Sequence, residues 1–152
     1  LTTEGDGSPL LYSTGQISAS GVTGEAKDSE VVVVEGKNSA TLTDSTVTSN
    51  GKKAVMLYQS FSGDAHDKDA TATRSTFTMT NTKLTANGAD AVLYATNTTT
   101  SATLTNVEIT SSGNSVTVTD DLDEVTVSGS GNTVSSQGVE KKKDTGSGNT
   151  IS

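Results

Sequence analysis

The segment STFTMTNTKLT, residues 75–85, alternates hydroxyl-bearing and apolar side chains, and close variants of it recur along the chain. A half-buried β-strand requires that period of two, because successive strand side chains point to opposite faces. Two questions follow. One is what fold repeats the segment; the other is whether its threonines form a working surface or only the wet face of a strand.

The repeats answer the first question. QISASGV (16–22), SATLTDSTVTSNG (39–51), STFTMTNTKLTANG (75–88) and SATLTNVEITSSG (101–113) align, and DEVTVSGSGNTVSS (123–136) follows with one extra residue. Each is preceded by a second apolar segment: SPLLYST, EVVVVEG, AVMLYQS, AVLYATN and NSVTVTD. Ser18, Thr41, Thr78, Thr103 and Thr126 share one column; Ser20, Thr43, Thr80, Thr105 and Ser128 share the column two residues on. Ala19, Leu42, Met79, Leu104 and Val127 lie between them and are expected to face inward. Val47, Leu84, Ile109 and Val134 form a further apolar column, followed by Gly51, Gly88 and Gly113, where a turn calls for positive φ. Asn114, Asn132 and Asn149 form a candidate asparagine ladder.

The column spacings are 23, 37, 25 and 23 residues. A coil of that length with three strands is a solenoid repeat, which buries its apolar edge against its neighbours. The long interval holds an insertion at 59–74, and the repeats shorten over 115–152.

This organisation resembles the right-handed parallel β-helix proteins, that is, the pectate-lyase-like superfamily and related surface adhesins. The resemblance lies in the repeat pattern over nearly the whole chain and not in a diagnostic motif. It implies an all-β fold: a right-handed, single-stranded parallel β-helix of about six rungs forming one domain over residues 1–152. It also implies a slender, secreted or cell-surface protein that binds polysaccharide, cleaves it, or adheres.

Composition narrows the classes. Apolar residues make up 30% and aromatics 3%, which is poor for a globule, but their strict alternation separates the chain from disorder. A net charge of −8 with a single arginine, Arg74, argues against a nucleic-acid partner. Lys141, Lys142 and Lys143 form one basic run, read as a solvated loop. With no cysteine, disulfides and thiolate metal sites are excluded. Val31 to Val34 is the longest run of purely aliphatic β-branched residues, and no apolar run exceeds five residues, too short for membrane insertion by a helix. Leu1 is not a translation start, so the chain reads as processed or excised.

Lyases of the family use acid-held calcium and a basic residue; Arg74, His66 and scattered lysines do not group that way, so no catalytic residue is assigned. Asp120, Asp121, Asp123 and Glu124 share one loop instead of facing each other across a groove. Tyr12, Tyr58 and Tyr94 are placed in one column with Val34 and Val118, which reads as an inward stack. Phe61 is then the better aromatic for a polysaccharide ligand. Asp64, Asp67 and Asp69 in the insertion are the candidate calcium ligands, without EF-hand spacing.

The paired columns Thr41/Thr43, Thr78/Thr80 and Thr103/Thr105 resemble the ice-binding face of some antifreeze solenoids. Threonine is also favoured on any exposed strand surface, and that reading is preferred. Solenoid ends normally need caps, and none is legible here. Three explanations remain: a fragment of a longer chain, caps made from the short tails, or capping by another copy; the last, head-to-tail stacking through Leu10, Tyr12, Val134 and Ile151, is the expectation carried forward. The leading expectation is a non-enzymatic structural or adhesive solenoid. Calcium-assisted polysaccharide binding comes second, and ice binding third.

Overall fold

β-Branched residues dominate the alternating segments, and they fit a pleated, half-buried surface. The computed structural model describes residues 1–36, 38–58, 75–88, 91–95, 100–105, 107–112, 115–117, 122–130, 133–135, 139–144, 147–148 and 150–151. Within them the regular elements are strands, and the strand pairings are parallel.

After β1 (Thr2–Thr3), the chain visits sheets B, C and A in that order four times. The first visit is β2 (Leu11–Ser13), β3 (Gln16–Ser20) and β4 (Thr23–Ala26). The second is β5 (Val32–Glu35), β6 (Ser39–Thr43) and β7 (Thr46–Ser49). The third is β8 (Lys53–Tyr58), β9 (Ser75–Thr80) and β10 (Lys83–Ala86). The fourth is β11 (Ala91–Ala95), β12 (Thr100–Thr105) and β13 (Glu108–Ser112). Thereafter β14 (Ser115–Thr117), β15 (Leu122–Ser130), β16 (Thr133–Ser135), β17 (Val139–Asp144) and β18 (Thr150–Ile151) alternate between sheets B and A. Parallel strands thus stack in three sheets, an arrangement compatible with a β-solenoid.

Register follows the columns read from sequence over the first four visits. Ser18, Thr41, Thr78 and Thr103 pair in succession on sheet C, as do Ala19, Leu42, Met79 and Leu104. Leu42, Met79 and Leu104 are buried, together with Phe77 and Ala40 on the same face. Sheet A adds Val47, Leu84 and Ile109, and sheet B adds Val32, Val34, Val55, Leu57 and Leu93, to make one core. Each large aliphatic side chain withdrawn from water in this way contributes roughly 1.5–3 kcal/mol.

The corner between sheets C and A is a repeated device. Gly21, Asp44 and Asn81 each take positive φ, at 67°, 50° and 49°. These residue types tolerate the left-handed region best. Their N–H groups reach across the stack to the carbonyls of Thr43, Thr80 and Thr105, each at 3.0 Å. Just past the bend sit the buried hydroxyls of Ser45 and Thr82. Ser45 Oγ donates to the Thr43 carbonyl (2.8 Å) and accepts the Val22 N–H (3.0 Å). Thr82 Oγ1 donates to the Thr80 carbonyl (2.9 Å) and accepts the Ser45 N–H (3.3 Å). Buried backbone donors left over by the turn are satisfied in this way.

Several expectations need correction. Thr126 and Val127 pair with Glu108 and Ile109 on sheet A, so DEVTVSGS does not continue the sheet C columns. Val134 belongs to sheet B, between Val116 and Ile151, and does not extend the column of Val47, Leu84 and Ile109. The reason is length. Ser115, Thr133 and Thr150 pair at offsets of 18 and 17 residues, which leaves no room for a third strand and its turns. Lys141, Lys142 and Lys143 lie in β17, in register with Glu124, Val125 and Thr126, and not in a loop. Asp123 and Glu124 likewise belong to β15.

Gly51 and Gly88 recur in the pattern because the backbones approach closely there, and neither takes positive φ. A Cβ on Gly51 would stand 2.6 Å from the Ser29 carbonyl oxygen, and one on Gly88 would overlap the Gly51 carbonyl. The inter-rung contact there is backbone on backbone.

Candidate functional site

The threonine face is in register across the four strands of sheet C. Thr41, Thr43, Thr78 and Thr80 are half-buried instead of fully exposed, because each is flanked by counterparts on both neighbouring strands; Thr105, on the outermost strand β12, is half-buried with Thr80 on one side, and Thr103 holds its column by register. Hydroxyls and methyls repeat about 4.8 Å apart between strands and about 6.7 Å along them. Ser18 and Ser20 occupy the columns on β3 and lack the methyl. Such a grid can order water or lie against an extended surface. Its border carries a polar ladder, in which Asn81 Nδ2 donates to Asp44 Oδ1 at 3.2 Å. A second ladder runs from Asn87 to Asn50 (2.8 Å) and on to Glu25 (2.9 Å). Ladders of this kind form at these positions; Asn114, Asn132 and Asn149 lie outside the described residues.

Sheet B holds the main departure from expectation. Tyr12 pairs with Val33, Val33 with Met56, and Met56 with Tyr94. Tyr58 stands opposite Glu35, two residues along from the column of Tyr12 and Tyr94 in which the sequence placed it. The inward residues of this sheet are Ser13, Val34 and Leu57 on one side of that column and Val32, Val55 and Leu93 on the other. The tyrosine column therefore faces outward. Tyr12 is 45% exposed, and its hydroxyl donates to Glu35 Oε2 at 2.7 Å. Tyr94 is half-buried, with Lys53 Nζ 5.0 Å above its ring centre, a cation–π distance.

A polar groove lies where sheet B turns into sheet C. Gly15, Gln16, Asn38, Ser39, Thr41 and Thr76 line it, and its volume is about 660 Å³. Asn38 Nδ2 donates to the Glu35 carbonyl at 2.7 Å, tying this wall to the residue that holds Tyr12. Ser13 Oγ donates to the Ser39 carbonyl at 2.6 Å and braces the floor from the core side. In the sequence this signal is Tyr12, in the segment that precedes the first repeat, four residues before Gln16. An inward placement of the tyrosines hides it.

Other sequence-predicted groups are placed as follows. Leu10 is half-buried and packs against the core, while Tyr12 projects from the outer face and so sits only at the rim of the first stacked layer. Ile151 is in β18, outermost in sheet B, and Val134 is one strand further in. Asp64, Asp67, Asp69, Phe61, His66 and Arg74 lie outside the described residues. Among the described residues, no three acidic or histidine side chains come together as a metal set. Glu4 and Lys27 form an exposed ion pair at 2.8 Å. The hydrogen bond from Lys27, and then its charge, hold the Glu4 carboxyl below its ordinary range, and the same bond raises Lys27.

No family model, curated protein or solved structure matches this chain. What classifies it is the architecture alone: an all-β chain of parallel strands stacked in three sheets.

Proposed function

We propose that the chain is a non-enzymatic, extracellular structural and adhesive β-solenoid, right-handed and of about six rungs. Right-handedness is supported by the strong preference of parallel β crossovers for that hand. The observation that carries the functional reading is the unbroken parallel ladder through each of the three sheets, with polar side chains bonded along the stack. Such a body is a stiff rod with long flat faces, suited to spanning and holding. Copies stack head to tail in this reading. β2 and β3 are outermost in their sheets, with Leu10, Leu11, Ala19 and Val22 only partly buried against the core; β17 and β18 are outermost at the other side. Sedimentation velocity and negative-stain microscopy of the 152-residue chain over a wide concentration range test it. Particles should lengthen with concentration, and Ile151→Lys should shorten them. A wild type that stays monomeric throughout contradicts the stacking.

Polysaccharide binding is the second reading, favoured by the outward Tyr12 held by Glu35. Calcium bound by Asp64, Asp67 and Asp69 would assist it. Retention on insoluble polysaccharide tests the binding. Thermal hysteresis, which this account does not expect, would instead assign the threonine face to ice.

A further inference from the structure

We propose that the corner where sheet B turns into sheet C is a binding site for a neutral glycan, with Tyr12 as its stacking platform. The proposal rests on the polysaccharide-binding reading and gives it a location and a ligand class. A pyranose ring has an apolar C–H face and a rim of hydroxyls. It is held well by an exposed aromatic ring beside uncharged donors and acceptors.

Both parts are present, and Glu35 links them: its carboxylate holds Tyr12, which flanks the groove without lining it, and its carbonyl holds Asn38 in the groove wall. Tyr12 is a large exposed side chain whose ring is oriented by the 2.7 Å bond to Glu35, which lowers the freedom lost when a ligand stacks on it. Gln16 follows four residues later, across the corner, and Asn38 is bonded to Glu35's own carbonyl. The groove of about 660 Å³ beyond them is lined by two amides, three hydroxyls and Gly15. Nothing stands within 4 Å of where a Cβ on Gly15 would be, so the backbone there is open to a ligand. Each amide offers both donors and an acceptor, and each hydroxyl offers both roles, which matches vicinal sugar hydroxyls.

Charge selects within the class. None of the six lining residues is ionisable, Glu35 is adjacent, and the chain carries a net charge of −8. A uronate or sulfated glycan would bring an anion to a site with no lining cation among the described residues, at a cost in desolvation and repulsion. A neutral glycan brings none.

The test is depletion of the 152-residue chain on a panel of insoluble neutral glycans (cellulose, chitin, mannan and a β-1,3-glucan) beside an insoluble polyuronate. Wild type should be retained on a neutral member and not on the polyuronate. Tyr12→Ala should weaken retention roughly tenfold or more, as truncation of an aromatic anchor does, with unchanged circular dichroism and melting. Tyr12→Phe should keep most of the affinity, and Gln16→Ala should lose part of it. Wild-type retention that survives both Tyr12→Ala and Gln16→Ala overturns this site while leaving polysaccharide binding standing. Retention on the polyuronate alone overturns the ligand class. Retention on no polysaccharide overturns the binding reading and this proposal with it.

Discussion

Replacing Thr82 by Val exchanges one oxygen for a methyl at almost constant volume, so it isolates what a corner hydroxyl contributes. Thr82 is 1% exposed, and its Oγ1 both donates to the Thr80 carbonyl and accepts the Ser45 N–H. The Thr80 carbonyl retains the Asp44 N–H at 3.0 Å after the change, so it is not stranded. The Ser45 N–H does lose this acceptor. Packing is not at issue, because Val107 fills the same column one strand on and is fully buried. An unsatisfied buried donor costs about 1–3 kcal/mol, and we take about 2 kcal/mol. For a domain of this size each kcal/mol moves Tm by about 2–4 °C, so Tm should fall by about 4–8 °C. Thermal melts followed by circular dichroism, with urea midpoints as a second measure, suffice. A Thr82→Val chain melting at or above wild type would refute the view that these hydroxyls close the corner.

Gly88→Ala should destabilise severely or abolish folding, because its Cβ would overlap the Gly51 carbonyl; Gly15→Ala, with open space around it, should be neutral or slightly stabilising. Equal melting of the two variants would contradict the close backbone approach. Glu4→Gln should be marginally less stable than wild type at neutral pH, since the bond to Lys27 lowers the carboxyl's pKa and raises the ammonium's. A lowered acid stabilises above its unfolded pKa, and a raised base stabilises below its own. The difference should therefore be flat near neutrality, fade as pH falls through the carboxylate range, and fade again above about pH 10. Added calcium should raise Tm by linkage, and Asp67→Ala should abolish the rise; an equal response from both chains would place the ion elsewhere.

Much of the sheet C face was legible because its strands alternate cleanly and have one buried side. Where one face is buried, a one-residue slip would expose every apolar side chain, so the register is strongly specified even across the insertion. Sheet B was read worse for the same reason in reverse. The run Val31 to Val34 has no alternation, so nothing distinguished pairing Tyr12 with Val34 from its actual pairing with Val33. That single slip turned an outward tyrosine column inward and hid the groove beside Gln16. The segment around Thr126 alternates as sheet C strands do, and only the shortened rung reveals that it belongs to sheet A. Glycine was ambiguous by nature, since both positive φ and close approach select it. The bends at Gly21, Asp44 and Asn81 were written plainly after each threonine pair, in the residue types that accept a left-handed backbone.

The most direct test of the stacked, in-register account uses the absence of native cysteine. Nitroxide labels on engineered cysteines at Thr43 and Thr80 should sit on adjacent strands, about 4.8 Å apart at the backbone, and labels at Ser20 and Thr105 about three such spacings apart. Continuous-wave electron paramagnetic resonance should show strong dipolar broadening for Thr43 with Thr80 and much weaker broadening for Ser20 with Thr105. A Thr43–Thr80 spectrum identical to the sum of the two singly labelled chains would contradict the register, and with it the threonine face, the outward tyrosines and the corner groove.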